Sequence, residues 1–155
     1  IQQIAAPQVI YARPANTFVA TFIGHSNLFN TTWSGQELRF SPTYAVNMGD
    51  RLRADASHGA VVTGVRPEEF SLAQPGDGLA ARVAKTTFLG RYVNYELTFA
   101  DASLLPDQAA IEFSQDIGTA KQIYSPGDTL HLAVNPEKIN VFTPAGESVM
   151  QGACR

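Results

Sequence analysis

Cysteine is almost absent from the 155-residue sequence. The single copy, Cys154, stands one residue from the end, so no internal disulfide can form and nothing marks an oxidising compartment. Positive charge is also scarce: 11 Lys and Arg face 14 Asp and Glu, a net charge of −3, whereas a nucleic-acid binder carries a basic surface. The nine Phe, five Tyr and Trp33 therefore lack the electrostatic groove that base-stacking platforms need, and core packing is their expected role. No apolar run approaches the ~20 residues of a membrane helix, and the first residues show no basic stretch followed by a small-residue cleavage site. Gly-Lys occurs nowhere, which excludes a GxxxxGK[ST] phosphate loop. His25, His58 and His131 are far apart and form no zinc motif with Cys154. The expectation is a cytosolic chain with no cofactor or metal of its own, no nucleic-acid partner and no direct membrane insertion.

What is present is enough apolar sequence to fold. Apolar residues make up 45% and charged residues 16%, which suits an ordered chain with one core or two small lobes sharing one. Residues 1–24 read as a helical segment. Asn16 can cap the stretch "PANTFVATFIG", Phe18, Val19, Phe22 and Ile23 recur at helical spacing, and Gly24 suits a left-handed end. From Leu28 the period changes to two. "LFNTTW", "ELRF", "RLRADA", "AVVTGV", "EFSL", "LAARVAKTTFL", "YVNYELTF", "AIEF", "LHLAV" and "INVF" read as strands, with "MGD", "QPGDG" and "SPGD" as turns. Many short strands without a long helix predict a mainly β fold, a small barrel or sandwich, and an internal repeat divides it into two small lobes.

One short pattern occurs twice. "VVTGVRPEEFSL", Val61 to Leu72, matches "LHLAVNPEKINV", Leu130 to Val141, 69 positions later without a gap. Val65, Pro67, Glu68, Phe70 and Leu72 correspond to Val134, Pro136, Glu137, Ile139 and Val141. Each copy predicts a strand, a corner fixed by proline, and a second strand with alternate apolar residues on one face. The passage between the lobes is expected at Ala73 to Gly78.

The titratable residues give little chemistry. Glu68 and Glu69 are adjacent, and on a strand they would point to opposite faces, which disqualifies them as a cooperating acid and base. Arg66 could clamp a carboxylate or oxyanion through its planar guanidinium, or pair locally across the corner.

The opening segment carries a resemblance. In "QIAAPQVIYARPANTFVATFIGHSN", Gln3, Ile4, Pro7, Ile10, Tyr11, Pro14, Asn16, Phe18, Val19, Ala20, Phe22, Ile23, Gly24 and Asn27 resemble the junction between the motor and the C-terminal accessory domain of ATP-binding-cassette transporter ATPases. Ala5 departs from the glycine usual there. "GVRPEEFSL", "FLGRYVNYEL" and "NPEKINVF" are similar to signatures of the transport-associated oligonucleotide-binding-like domain, TOBE. The resemblance implies a helical linker over residues 1–24 and an accessory domain over 25–155, with lobes at about 25–75 and 76–145. It implies oligonucleotide-binding-like barrels that do not bind nucleic acid. ATP, Mg²⁺ and all catalytic residues would belong to a motor domain upstream of Ile1, in keeping with an opening on "IQQIAAP" without methionine. "FIGHSNLFN" is most similar to the polyamine and ferric-ion importers. Implied partners are a second copy of the chain, the motor domain and, through it, permease subunits at the bacterial inner membrane. Arg66, Glu68, Lys138, Phe18 and Phe22 are the expected interface or ligand contacts. The alternative is a sensing module that binds an anion or the transported solute between the lobes, at Arg66 and Lys138.

Overall fold

The computed structural model describes residues 27–74, 76–105 and 110–150, so the expected helical segment with Phe18 and Phe22 lies outside the described residues. Ten strands follow one another: β1 (Asn27–Trp33), β2 (Glu37–Ser41), β3 (Tyr44–Asn47), β4 (Gly59–Val65), β5 (Phe70–Leu72), β6 (Leu79–Leu89), β7 (Tyr92–Thr98), β8 (Ile111–Asp116), β9 (Thr129–Val134) and β10 (Asn140–Phe142). Helix among the described residues is limited to two 3-10 turns, Pro67–Glu69 and Ala102–Leu104. The mainly β expectation therefore holds.

Two details differ from the sequence reading. "RLRADA" alternates like a strand but forms only one bridge, Leu52 to Met150, because the Ala56 amide donates to the Arg53 carbonyl and turns the chain at once. "YAVN" was not expected as a strand, yet it is β3, paired with β2 across a tight turn at Pro42 and Thr43. Its register shifts between Arg39 and Ser41, and only Val46 is fully buried, so its apolar alternation is weak.

The strands form two five-stranded antiparallel sheets in the orders β10-β4-β1-β2-β3 and β5-β9-β6-β7-β8. β1 to β4 take the spatial order 4-1-2-3, the Greek key, and β6 to β9 repeat it. The fifth strand of each set leaves its own sheet. β5 pairs with β9, and β10 pairs with β4.

This exchange is two-fold symmetric to the residue. β5 meets β9 at Phe70–Val134, Ser71–Ala133 and Leu72–Leu132. Adding 69 to the first member of each pair and subtracting it from the second gives Ile139–Val65, Asn140–Gly64 and Val141–Thr63. The last two are observed pairs of β10 with β4, and the first falls one residue before β10 begins.

Alternating inward residues from both sheets build one contiguous core, from Phe29, Leu38 and Val65 to Val93, Leu97 and Leu132. Aromatic rings cross it from sheet to sheet. Phe29 on β1 lies edge-on to Phe40 and to Phe70, Phe70 to Phe113, and Phe113 stacks on Tyr95 at 5.7 Å. The Tyr95 hydroxyl donates to Gln115 Oε1 at 3.0 Å and accepts from the Tyr124 amide at 3.1 Å.

Burial lifts the Tyr95 phenol above its ordinary value of 10.0, and the Tyr124 amide offsets part of that rise. The folded state then holds this proton to higher pH than the unfolded chain. Its contribution is intact below about pH 10 and fades as the pH rises through the folded value. Urea midpoints should fall more steeply above about pH 10 in the wild type than in Tyr95→Phe, which at neutral pH should lose about 1–2 kcal/mol through its missing hydrogen bonds. Parallel pH profiles would refute the linkage.

Candidate interaction site

The two repeated corners lie side by side, because each outgoing strand pairs with the incoming strand of the other copy. In the first corner Arg66 is extended (φ −76, ψ 151), Pro67 opens the 3-10 turn, and the Glu69 amide donates to the Arg66 carbonyl at 3.0 Å. The second corner repeats that bond 69 residues on: the Lys138 amide donates to the Asn135 carbonyl at 2.9 Å. Asn135 Oδ1 adds an acceptor for the Glu137 amide, and Glu137 Oε1 lies 3.5 Å from Arg51 Nη2. From β3, the Tyr44 hydroxyl accepts from the Val134 amide at 3.0 Å, which fixes the end of β9.

Arg66 is buried, whereas Glu68 and Lys138 are exposed. Arg66 and Lys138 stand on neighbouring corners, two positions beyond the Gly64–Asn140 pair. Glu68 and Glu69 are not on a strand, as the sequence pattern suggested. Pro67 starts a 3-10 turn, which sets successive side chains about 120° apart rather than on opposite faces. Among the described residues, no group of three His, Cys, Asp or Glu side chains is placed to hold a metal ion, and no helix is long and apolar enough to cross a membrane.

A second surface escaped the sequence reading. β6 carries a bulge between Val83 and Lys85, and beyond residue 82 it pairs with β7 and no longer with β9, so the hairpin runs past the end of β9. Gly90, at φ +70, takes the first position of its two-residue turn, the place where a type II′ turn requires a left-handed residue. Phe88 (65% exposed), Leu89 (59%) and Tyr92 (46%) crowd this end. Ile117 is held beside the turn by a hydrogen bond that its amide donates to the Arg91 carbonyl at 2.9 Å. By strand alternation Phe88 lies on one face of the hairpin and the Leu89–Tyr92 pair on the other, so both faces of this end expose apolar area. The adjacent Phe88 and Leu89, which break the strand's alternation, were the available signal.

Residues 63–142, just over half the chain, match the TOBE domain family. That stretch runs from within β4 to the last residue of β10, and its ends meet in space through the Thr63–Val141 pair. The Fe(3+) ions import ATP-binding protein FbpC of Fusobacterium nucleatum is 36% identical over 98% of this chain and 40% of its own length. Spermidine/putrescine import ATP-binding protein PotA 1 of Pseudomonas aeruginosa is 31% identical over 92% of this chain and 38% of its own length. The sn-glycerol-3-phosphate import ATP-binding protein UgpC 2 of Agrobacterium fabrum is 31% identical over 94% and 37%. The chain thus spans about 40% of the length of the curated relatives it matches. Since the match covers more than half of the chain and takes in both corners and both exchanged strands, β5 and β10, the chain belongs to the TOBE domain family.

Proposed function

We propose that this chain is the C-terminal regulatory and dimerisation domain of an ATP-binding-cassette import ATPase, itself without catalytic residues. The observation that carries this reading is one of extent: nearly the whole chain aligns with about two fifths of proteins named as import ATP-binding proteins. Each five-stranded set serves as an oligonucleotide-binding-like barrel whose shape, not ligand, gives the fold its name. The partners are a second copy, the motor domain that holds ATP and Mg²⁺, and permease subunits reached through that motor at the cytoplasmic side of the bacterial inner membrane. Ferric ion and polyamines, for which two of the relatives are named, are the solutes to test first.

The domain acts by effective concentration. A persistent contact between two accessory domains makes reclosure of the motors intramolecular, which favours it by orders of magnitude without any new motor contact. A shift at that contact then biases the open or closed state. The hairpin end with Phe88, Leu89 and Tyr92 supplies exposed apolar area for it.

Light scattering at tens of micromolar should give a dimer for the 155-residue chain and a monomer after Phe88→Asp combined with Leu89→Asp, with the thermal midpoint retained. A wild-type monomer would overturn the tethering role, and a variant that stays dimeric would move the contact elsewhere.

A further inference from the structure

The ladder between β6 and β7 stops short of the start of β6. Its last rung is Arg82 opposite Thr98, while β6 stays beside β9 back to Leu79, opposite Leu132. The chain after β7 leaves the sheet instead, with the Phe99 ring edge-on to Phe29 of β1 at 5.9 Å. The fork between the two holds a cavity of about 410 Å³, bordered by Ala80 and Arg82 on one side and by Thr98, Phe99 and Ala100 on the other.

Main-chain groups face this fork without a strand to meet them. The Val83 amide donates to the Asp128 carbonyl at 2.8 Å, so Val83, Ala81 and Leu79 turn their amides and carbonyls toward β9, and alternation turns those of Arg82 and Ala80 the other way. Arg82 finds Thr98 there; Ala80 finds no rung. The Arg82 side chain is exposed and makes no ion pair among the described residues. It stands in register between Thr98 and Thr129, which share its face of the sheet and also line the cavity. Among the described residues no acid lines it. Asp101, beside Ala100 in the chain, accepts from the Ser103 amide at 3.0 Å and hydroxyl at 2.6 Å, and Asp128, beside Thr129, accepts from the Ser125 amide at 2.8 Å, so both are engaged in their own turns.

We infer that this fork binds a carboxylate that adjoins an amide, as in an N-acyl amino acid or the end of a peptide. The Arg82 guanidinium and the hydroxyls of Thr98 and Thr129 take the carboxylate, whose two oxygens match the planar edge of a guanidinium. The Ala80 main chain offers the ligand's amide the donor and acceptor that a neighbouring strand would offer. The small side chains of Ala80 and Ala100 leave room for it. One cation suits one negative charge, and the second charge of a phosphate would find no partner. The site lies at the start of β9, apart from the corner beyond its end and from the hairpin end, and it stands whether or not the chain serves a transporter.

Nitrogen-proton correlation spectra of the 155-residue chain, titrated with N-acetylalanine at constant ionic strength, test it. The Ala80 amide and Arg82 Nε signals should shift saturably in the millimolar range. Acetate, which lacks the amide, and N-acetylalaninamide, which lacks the charge, should each bind at least severalfold more weakly. Arg82→Gln, an exposed change, should weaken binding by about tenfold or more, the scale of a lost charge-assisted hydrogen bond. Ala100→Leu, at an exposed position outside the strands, should fill the cavity and abolish the shifts with the thermal midpoint retained. Acetyl-tetraalanine separates the two sources: tighter binding than N-acetylalanine assigns the site to a peptide's end, weaker binding to a free acyl amino acid. The proposal fails if N-acetylalanine leaves both signals unmoved at tens of millimolar, if acetate or inorganic phosphate shifts them equally, or if Arg82→Gln or Ala100→Leu leaves the affinity unchanged.

Discussion

Phe29→Ala should lower the free energy of unfolding by about 3–5 kcal/mol, the range for a fully buried phenylalanine. Phe29 has no solvent exposure. Its ring lies edge-on to Phe40 at 5.5 Å, Phe99 at 5.9 Å and Phe70 at 6.1 Å. Phe70 belongs to β5, the strand given over to the other sheet, so the truncation opens a cavity where the two halves interlock and removes three aromatic pairs of about 0.5–1.5 kcal/mol each. Against a typical domain stability of about 5–15 kcal/mol, that loss is large enough to leave a detectable unfolded fraction. Urea denaturation should show a lower midpoint with an unchanged slope, since the same surface is exposed on unfolding. Phe88→Ala provides the contrast: at 65% exposure it should stay within about 0.5 kcal/mol of the wild type. If the two substitutions cost the same, Phe29 is not the joint between the sheets.

The route to that joint was half visible in the sequence. The doubled Pro-Glu pattern marks both corners, and period-two alternation assigns Phe70 and Leu72, and Ile139 and Val141, to the buried side of their segments, where all but the exposed Leu72 lie. Alternation tells which face of a strand is apolar, but not which sheet the strand enters. A three-residue strand such as β5 or β10 has too few side chains to specify a partner, and the exchange depends on the incoming strand of the other copy, far away in the chain. "RLRADA" shows the opposite error. Its alternation is real and Leu52 is buried, but a strand needs a neighbour along its length, and a turn at residues 54 and 55 ends the pairing after one bridge.

Asn27 was legible only as one member of a resembling stretch, with no role attached, and the structure supplies the role. Asn27 is fully buried at the start of β1. Its Nδ2 donates to the Glu112 carbonyl at 2.7 Å, and its Oδ1 accepts from the Glu112 amide at 2.9 Å. One side chain thus takes the place of a neighbouring strand for β8, the edge of the second sheet, while its own backbone belongs to the first. The amide orientation is fixed by this pairing, since a carbonyl requires a donor and an amide an acceptor. Asn27→Ala leaves both main-chain groups of Glu112 without that partner and should cost about 2–4 kcal/mol. Asn27→Asp should cost more at neutral pH despite its nearly identical shape, because a buried carboxylate would face the Glu112 carbonyl oxygen. That burial and repulsion raise the folded-state pKa of the new aspartate, so stability is retained at low pH, where the protonated acid can donate, and is lost as the pH rises through the folded value. The urea midpoint of Asn27→Asp should therefore lie above that of Asn27→Ala near about pH 4 and fall below it toward neutrality. If the two variants differ by the same amount at every pH, or if Asn27→Ala matches the wild type, the bridge from β1 to β8 does not hold the sheets together.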